Sequence, residues 1–193
     1  MRASVELLPD AAAGQWVQDV WQRLVDAGLP SRAEHQGLTN WPHVTVWESG
    51  VHVADRPGVP RPGVPEHVLP PTEALASALD HLPVTTHVLG PAHFGRPDRT
   101  VLVLELDPRP LADLHAQVAG AAEQAGVGAA LRRVRWRPHL TLSKALSPEQ
   151  ATAAERVVGD HDVPAQVVLD RLRTWDPAAN RTVDVPLPTG GAA

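Results

Sequence analysis

The chain has 193 residues, a formal net charge of -5, 43% hydrophobic and 20% charged side chains, and no cysteine. That size and balance suit one medium globular domain or two small lobes, and they argue against disorder, a disulfide framework and cysteine-based zinc or redox sites. An acidic total also argues against broad coating of nucleic acid, so any phosphate recognition has to be local.

The start, "MRASVELLPD", has no apolar segment with a small-residue cleavage site, and no run of about 18 apolar residues occurs, so a soluble, unprocessed, cytoplasmic chain without membrane contact is expected. "ASVELL" predicts a first strand. Asp10 is placed to cap a helix whose apolar face is Trp16, Val17, Val20, Trp21, Leu24 and Val25, ending near Gly28. "PHVTVW" predicts a strand, and the tandem "RPGVPRPGVP" at 56–65 predicts a mobile, dispensable surface loop within about 50–71, because proline removes donors and glycine adds freedom. Thr72 to Leu82 predicts a short helix. "VTTHVLG" and "TVLVLEL" predict two antiparallel strands separated by the turn-rich "PAHFGRPDR". Leu111, Leu114, Val118 and Ala122 mark a helix stopping near Gly126, "HLTLS" a strand, and Ser147 with Pro148 the start of another helix. "AQVVLDRLRTW" and "TVDVPL" complete the chain as strands around a turn at "DPAAN".

This order contains an approximate duplication. "NWPHVTVWES" at 40–49 and "RWRPHLTLSK" at 135–144 place His43 and His139 139 − 43 = 96 residues apart, half the chain. Composition alone gives roughly 0.6 bare His-x-Thr matches, but on the order of 0.004 matches to Pro-His-[Val/Leu]-Thr-[Val/Leu], so two full matches are not an accident of composition. A repeat at this scale implies two similar α+β lobes in a single bilobal domain over 1–193, with the motif strands facing each other across a cleft.

In a strand, His43 and Thr45 share one face and Val44 and Val46 the other; His139 and Thr141 are related likewise to Leu140 and Leu142. Two imidazoles and two hydroxyls around one small volume suit a tetrahedral anion with an attacking and a leaving oxygen. One neutral imidazole takes a proton and one protonated imidazole gives one, while the threonine hydroxyls donate to non-bridging oxygens. This chemistry needs neither metal nor cofactor. The apposed nucleotide-binding reading, a module that senses a nucleotide without turnover, has no use for the second imidazole.

"PHVTV" and "PHLTL", duplicated in a chain of this size, resemble the 2H phosphoesterase superfamily, and "RWRPHLTLSKAL" resembles the second motif of its 2′-5′ RNA ligase and cyclic phosphodiesterase branch. The resemblance spans nearly the whole chain. It implies a bilobal α+β fold in which each lobe is an antiparallel sheet with helices on its outer face. It also implies metal-independent attack on 2′,3′-cyclic phosphates of RNA ends or small nucleotides, with His43 and His139 catalytic and Thr45 and Thr141 binding phosphate. The reverse reaction, joining ends into 2′-5′ linkages, uses the same site. A monomer with no obligate protein partner is expected.

Counting along each strand places Trp41 and Arg137 on the cleft face, and also Trp47 and Ser143 if the strands stay regular. Trp41 is then a candidate to stack on a base and Arg137 to hold a phosphodiester. Lys144, the single lysine, falls on the other face where the strand ends and is a further phosphate candidate. Arg132, Arg133 and Arg135 are expected to form a solvated rim. His81, His87 and His93, six apart, match no metal-ligand spacing, and the sequence contains no G-x-S-x-G, P-loop or G-x-G-x-x-G element.

Overall fold

A computed structural model describes residues 2–34, 37, 39–50, 69–127 and 136–186. The Pro/Gly-rich segment 56–65 and the arginines at 132, 133 and 135 lie outside the described residues. The elements, in chain order, are β1 (Ser4–Pro9), α1 (Ala11–Asp26), β2 (Val44–Glu48), a 3-10 helix (Thr72–His81), β3 (Val84–Arg96), β4 (Arg99–Leu106), α2 (Ala112–Gln124), β5 (His139–Thr141), α3 (Pro148–Gly159), β6 (Gln166–Asp176) and β7 (Arg181–Asp184). This is the expected succession, including the caps: Asp10 accepts from Ala13 N at 2.8 Å, and Ser147 with Gln150 forms a reciprocal box at the start of α3.

All strand pairs are antiparallel, in the order β2-β1-β6-β3-β4-β5, with β7 on the other part of β6. β3 joins two half-sheets. Its first four residues, Val84 to His87, pair with β6, and from Val88 onward it pairs with β4. The change of partner falls at a register shift between Val88 and Gly90, where Gly90 takes φ +123°, a backbone state open to glycine and strained for other residues. β3 also runs on through Pro91 to a tight turn at Pro97-Asp98, so "PAHFGR" is strand and not turn. All six of these residues, Pro91 to Arg96, pair with β4, and this ladder outweighs the local turn propensity.

The duplication is visible as β1-α1-β2-β3 against β4-α2-β5-β6, each repeat carrying a helical segment before its last strand. One half-sheet is β2-β1-β6 and the other β5-β4-β3, so each repeat lends its last strand to the other half. Neither lobe is built from a continuous half of the chain. One apolar core runs under both, from Val5, Val20 and Leu24 to Leu104, Leu114 and Leu140. Fully burying each aliphatic side chain of this kind stabilises the fold by about 1.5–3 kcal/mol. Among the described residues, no helix is long and apolar enough to cross a membrane.

Candidate active site

β2 and β5, the two terminal strands of the ladder order, lie beside each other, and each carries one His-x-Thr motif. No main-chain ladder joins them. Two indoles span the seam instead: Trp136 Nε1 donates to Thr45 O and Trp21 Nε1 donates to Thr141 O, both at 2.9 Å. Trp136 precedes β5 and bonds to β2; Trp21 sits on α1 and bonds to β5. Each threonine carbonyl, left without a ladder partner at an edge, is thereby satisfied from across the seam.

The two histidines are held alike. His43 Nδ1–H donates to Trp41 O and His139 Nδ1–H to Arg137 O, each at 2.8 Å and each to the carbonyl two residues upstream. A carbonyl only accepts, so Nδ1 carries hydrogen in both rings and Nε2 is the nitrogen available for proton transfer. Their surroundings differ. His43 Nε2 lies 3.6 Å from Glu6 Oε1, an ion pair when the ring is protonated. For His139, burial lowers the imidazole pKa below its usual value; the Arg137 carbonyl opposes this, and the nearby His43 charge adds to the lowering. The two rings are therefore within electrostatic reach of each other.

Register explains where the charged groups come from. Directly opposite residues of an antiparallel pair share a face. On the β1 side, Thr45, Glu6 and Arg173 form one cross-strand row and Glu48, Ser4 and Trp175 the next. Glu6 and Arg173 are 3% and 6% exposed and joined at 2.8 Å, with Ser4 Oγ donating to the other carboxylate oxygen, also at 2.8 Å. On the β4 side, Glu105 is opposite His139 and Val103 opposite Thr141. Arg137 does not extend freely into the cleft: it grips Glu105 through Nε and Nη2 at 2.7 and 2.6 Å and lies 4.3 Å above the Phe94 ring. Hydrogen bonding to Arg137 lowers the Glu105 carboxyl pKa. Phe94 in turn packs against the His139 ring, centroids 4.6 Å apart.

Strict alternation fails at two positions. A β-bulge between Val5 and Glu6 pairs Val5 with Trp47 and Glu6 with Thr45, leaving Val46 as the extra residue of β2. Faces therefore exchange after Val46. Val46 and Trp47 both enter the core, and Glu48 takes the cleft side where counting had put Trp47. Ser143 is likewise buried, accepting from Leu102 N and donating to Lys144 O, because the chain leaves β5 and bridges to Ser31. Lys144 Nζ binds Glu34 at 2.8 Å and its backbone N–H donates to Pro30 O, tying the end of β5 to the segment after α1. Trp41 is 37% exposed and lies against Gly14 of α1.

A cavity of about 710 Å³ opens from His43 and Thr45 over the β1 and β6 rows; Arg2, Arg32 and Trp175 are among its walls. His139, Thr141, Trp41, Arg137 and Lys144 are not among its lining residues. Glu6, Arg173, Arg32, Trp175, Glu105 and Phe94 were not singled out from sequence. The available signal was weak but present: Glu6 interrupts an apolar strand, Arg173 alternates with leucine and tryptophan in "RLRTW", and Phe94 is the chain's one phenylalanine.

Two pseudo-equivalent units that set a duplicated His-x-Thr edge side by side form the architecture of a 2H phosphoesterase. A model of the 2′-5′ RNA ligase superfamily matches residues 8–181, and the chain belongs to that superfamily. Among solved structures it is similar to Usb1 of Kluyveromyces marxianus with uridine monophosphate, at 11% identity, 96% coverage of this chain and 98% of that one, and a TM-score of 0.46. It is also similar to E. coli LigT complexed with 3′-AMP, at 16% identity, 96% and 94% coverage, and a TM-score of 0.42. No curated protein matches.

Proposed function

We propose that the chain is a phosphodiesterase that opens 2′,3′-cyclic phosphates, at RNA ends or on small nucleotides, by acid-base catalysis between His139 and His43. The observation that carries this reading is the matched pair of Nδ1–H bonds to upstream carbonyls, which presents two Nε2 atoms from adjoining strands. In the hydrolytic direction, a water oxygen attacks phosphorus while His139 Nε2 accepts its proton. One ring P–O bond breaks, His43 Nε2–H gives its proton to the departing ribose oxygen, and a phosphomonoester remains. His139 suits the base because burial favours its neutral form; His43 suits the acid because Glu6 stands within ion-pair distance of its protonated ring. Thr45 and Thr141 donate to the non-bridging oxygens as charge builds in the transition state. Arg137, Trp41 and Lys144 have lesser parts: Arg137 holds Glu105 and Phe94 around His139, Trp41 supplies the carbonyl that fixes His43, and Lys144 closes the end of the motif strand.

The test is incubation of purified protein, with EDTA present, against 2′,3′-cyclic nucleotides, oligonucleotides ending in a cyclic phosphate, and linear phosphodiesters, with the position of the product phosphate determined. Turnover confined to the cyclic substrates is expected. Strict metal dependence, or no turnover of any cyclic phosphate, overturns the reading.

A further inference from the structure

The cavity beside His43 is larger than one phosphate requires and carries a charge that the described residues do not balance. Its volume of about 710 Å³ lies in the range that holds whole small-molecule ligands, roughly 300–1,000 Å³. Three arginines and two glutamates line it. Arg173 is matched to Glu6 at 2.8 Å and Arg2 to Glu48 at 3.1 Å. Three positive charges less two negative leave one, on Arg32. Its half-buried guanidinium has no ion-pair or hydrogen-bond partner among the described residues, and the charge that acts on it from nearby is that of Glu6. Glu6 is already shared between Ser4, Arg173 and His43. A partly desolvated cation without a counterion is unfavourable unless a ligand supplies the charge.

The position of Arg32 is also fixed. It opens a 3-10 turn, Arg32–Glu34, directly after Ser31, whose hydroxyl donates to Trp21 O at 2.6 Å and accepts from Ala33 N at 3.1 Å. Asn40 Nδ2 donates to Arg32 O at 2.9 Å from the other side. The backbone that presents the guanidinium is thus anchored to α1 and to the approach to β2. A guanidinium fork matches phosphate oxygens in pairs, and Trp175, which also lines the cavity, is an aromatic side chain of the kind on which a nucleoside stacks.

We propose that this cavity is a second anion subsite in which Arg32 takes a phosphate of the nucleotide other than the one under attack at the histidines. The ligand is then a nucleotide carrying two phosphates, the second being either a terminal 5′-phosphate or the next internucleotide phosphodiester. What the histidines hold rests on the phosphodiesterase reading; the charge imbalance at Arg32 does not.

The experiment is calorimetric titration of the full chain and of Arg32→Gln with a nucleoside 3′-monophosphate, a nucleoside 3′,5′-bisphosphate and a dinucleotide ending in a 3′-phosphate. In the wild-type chain the second phosphate tightens binding about 10- to 100-fold, the range of a charge-assisted hydrogen bond, and that gain falls with added salt. In Arg32→Gln the gain drops below about 3-fold, and Arg32→Lys, which keeps the charge without the fork, restores part of it. A gain with the bisphosphate assigns the subsite to a terminal phosphate; a gain with the dinucleotide alone assigns it to an internucleotide one. Equal affinity for all three ligands in the wild type, no binding of any, or a gain that survives in both Arg32 variants overturns the proposal. Because binding is read without turnover, failure to hydrolyse cyclic phosphates counts against the catalytic reading and leaves this one standing.

Discussion

His43 and His139 sit in matching motifs yet in different electrostatic settings, and the difference is measurable. Burial lowers the His139 pKa, so its neutral, proton-accepting form persists to lower pH than in a free imidazole. The ascending limb of kcat/KM is therefore expected to have its midpoint below about 6.5, the ordinary histidine value, in a profile that is bell-shaped because the partner must be protonated. His43→Ala and His139→Ala should each lower kcat by about 10²–10⁴-fold, with the double variant scarcely worse, since acid and base serve one displacement. The buried Glu6–Arg173 pair carries a separate prediction. Arg173→Met leaves the carboxylate without its cation and should cost about 3–5 kcal/mol in urea unfolding, whereas Glu6→Gln combined with Arg173→Met should cost less than the two single changes summed. The histidines and threonines were legible because the motif occurs twice. Glu6 with Arg173 was not, because the two meet through strand register 167 positions apart in sequence, and nothing local in either segment names the other.

At the level of the elements, β2 shows where counting works and where it stops. His43 and Thr45 fall on one face as alternation requires, but the extra residue Val46 sends Trp47 into the core and Glu48 toward the cavity. A bulge leaves no mark in a five-residue strand, so a regular pattern is the default and is wrong from that point onward. Trp47→Ala should accordingly cost about 3–5 kcal/mol, the range for emptying a buried aromatic site, and Trp41→Ala much less, by urea unfolding of each variant. The seam between β2 and β5 gives a functional counterpart. Trp21→Phe or Trp136→Phe keeps an aromatic ring, though a smaller one, and removes one 2.9 Å bond to a motif carbonyl. Each should lower kcat more than it raises KM, because the spacing of the motif strands matters most when both imidazoles act together. An unchanged kcat in both variants would show that the core alone sets that spacing.

Across the whole molecule, the pattern of elements was readable from hydrophobic period and turn chemistry, while the pairing of the strands was not. The exchange of β3 and β6 between half-sheets is decided by the global core, and the sequence of "VTTHVLG" is equally compatible with either partner. Acid sensitivity is expected of the whole fold. Burial lowers the folded-state pKa of both His115 and His139, so between those lowered values and about 6.5 the unfolded chain binds more protons than the native one. Stability present above pH 6.5 is then lost as pH falls through that window. A melting temperature flat above pH 7 and declining below 6.5 is the expected scan, with a shallower decline in His115→Phe. His115 stacks at 4.2 Å on Trp136, the indole that bridges to Thr45.

The exchanged strands further dictate the order in which this protein is able to assemble as it leaves the ribosome. β1 emerges first but lies between β2 and β6, and β6 is complete only at residue 176. Until then β1 carries an unsatisfied edge, and β3 and β4 form a hairpin without the strand that anchors its base. Because these partners lie so far apart in sequence, the ladder of β1 with β6 closes only after most of the chain has been made. A nascent chain stalled with β6 still inside the exit tunnel should be protease-sensitive along β1 and β2, and release of some ten further residues should confer protection on both at once.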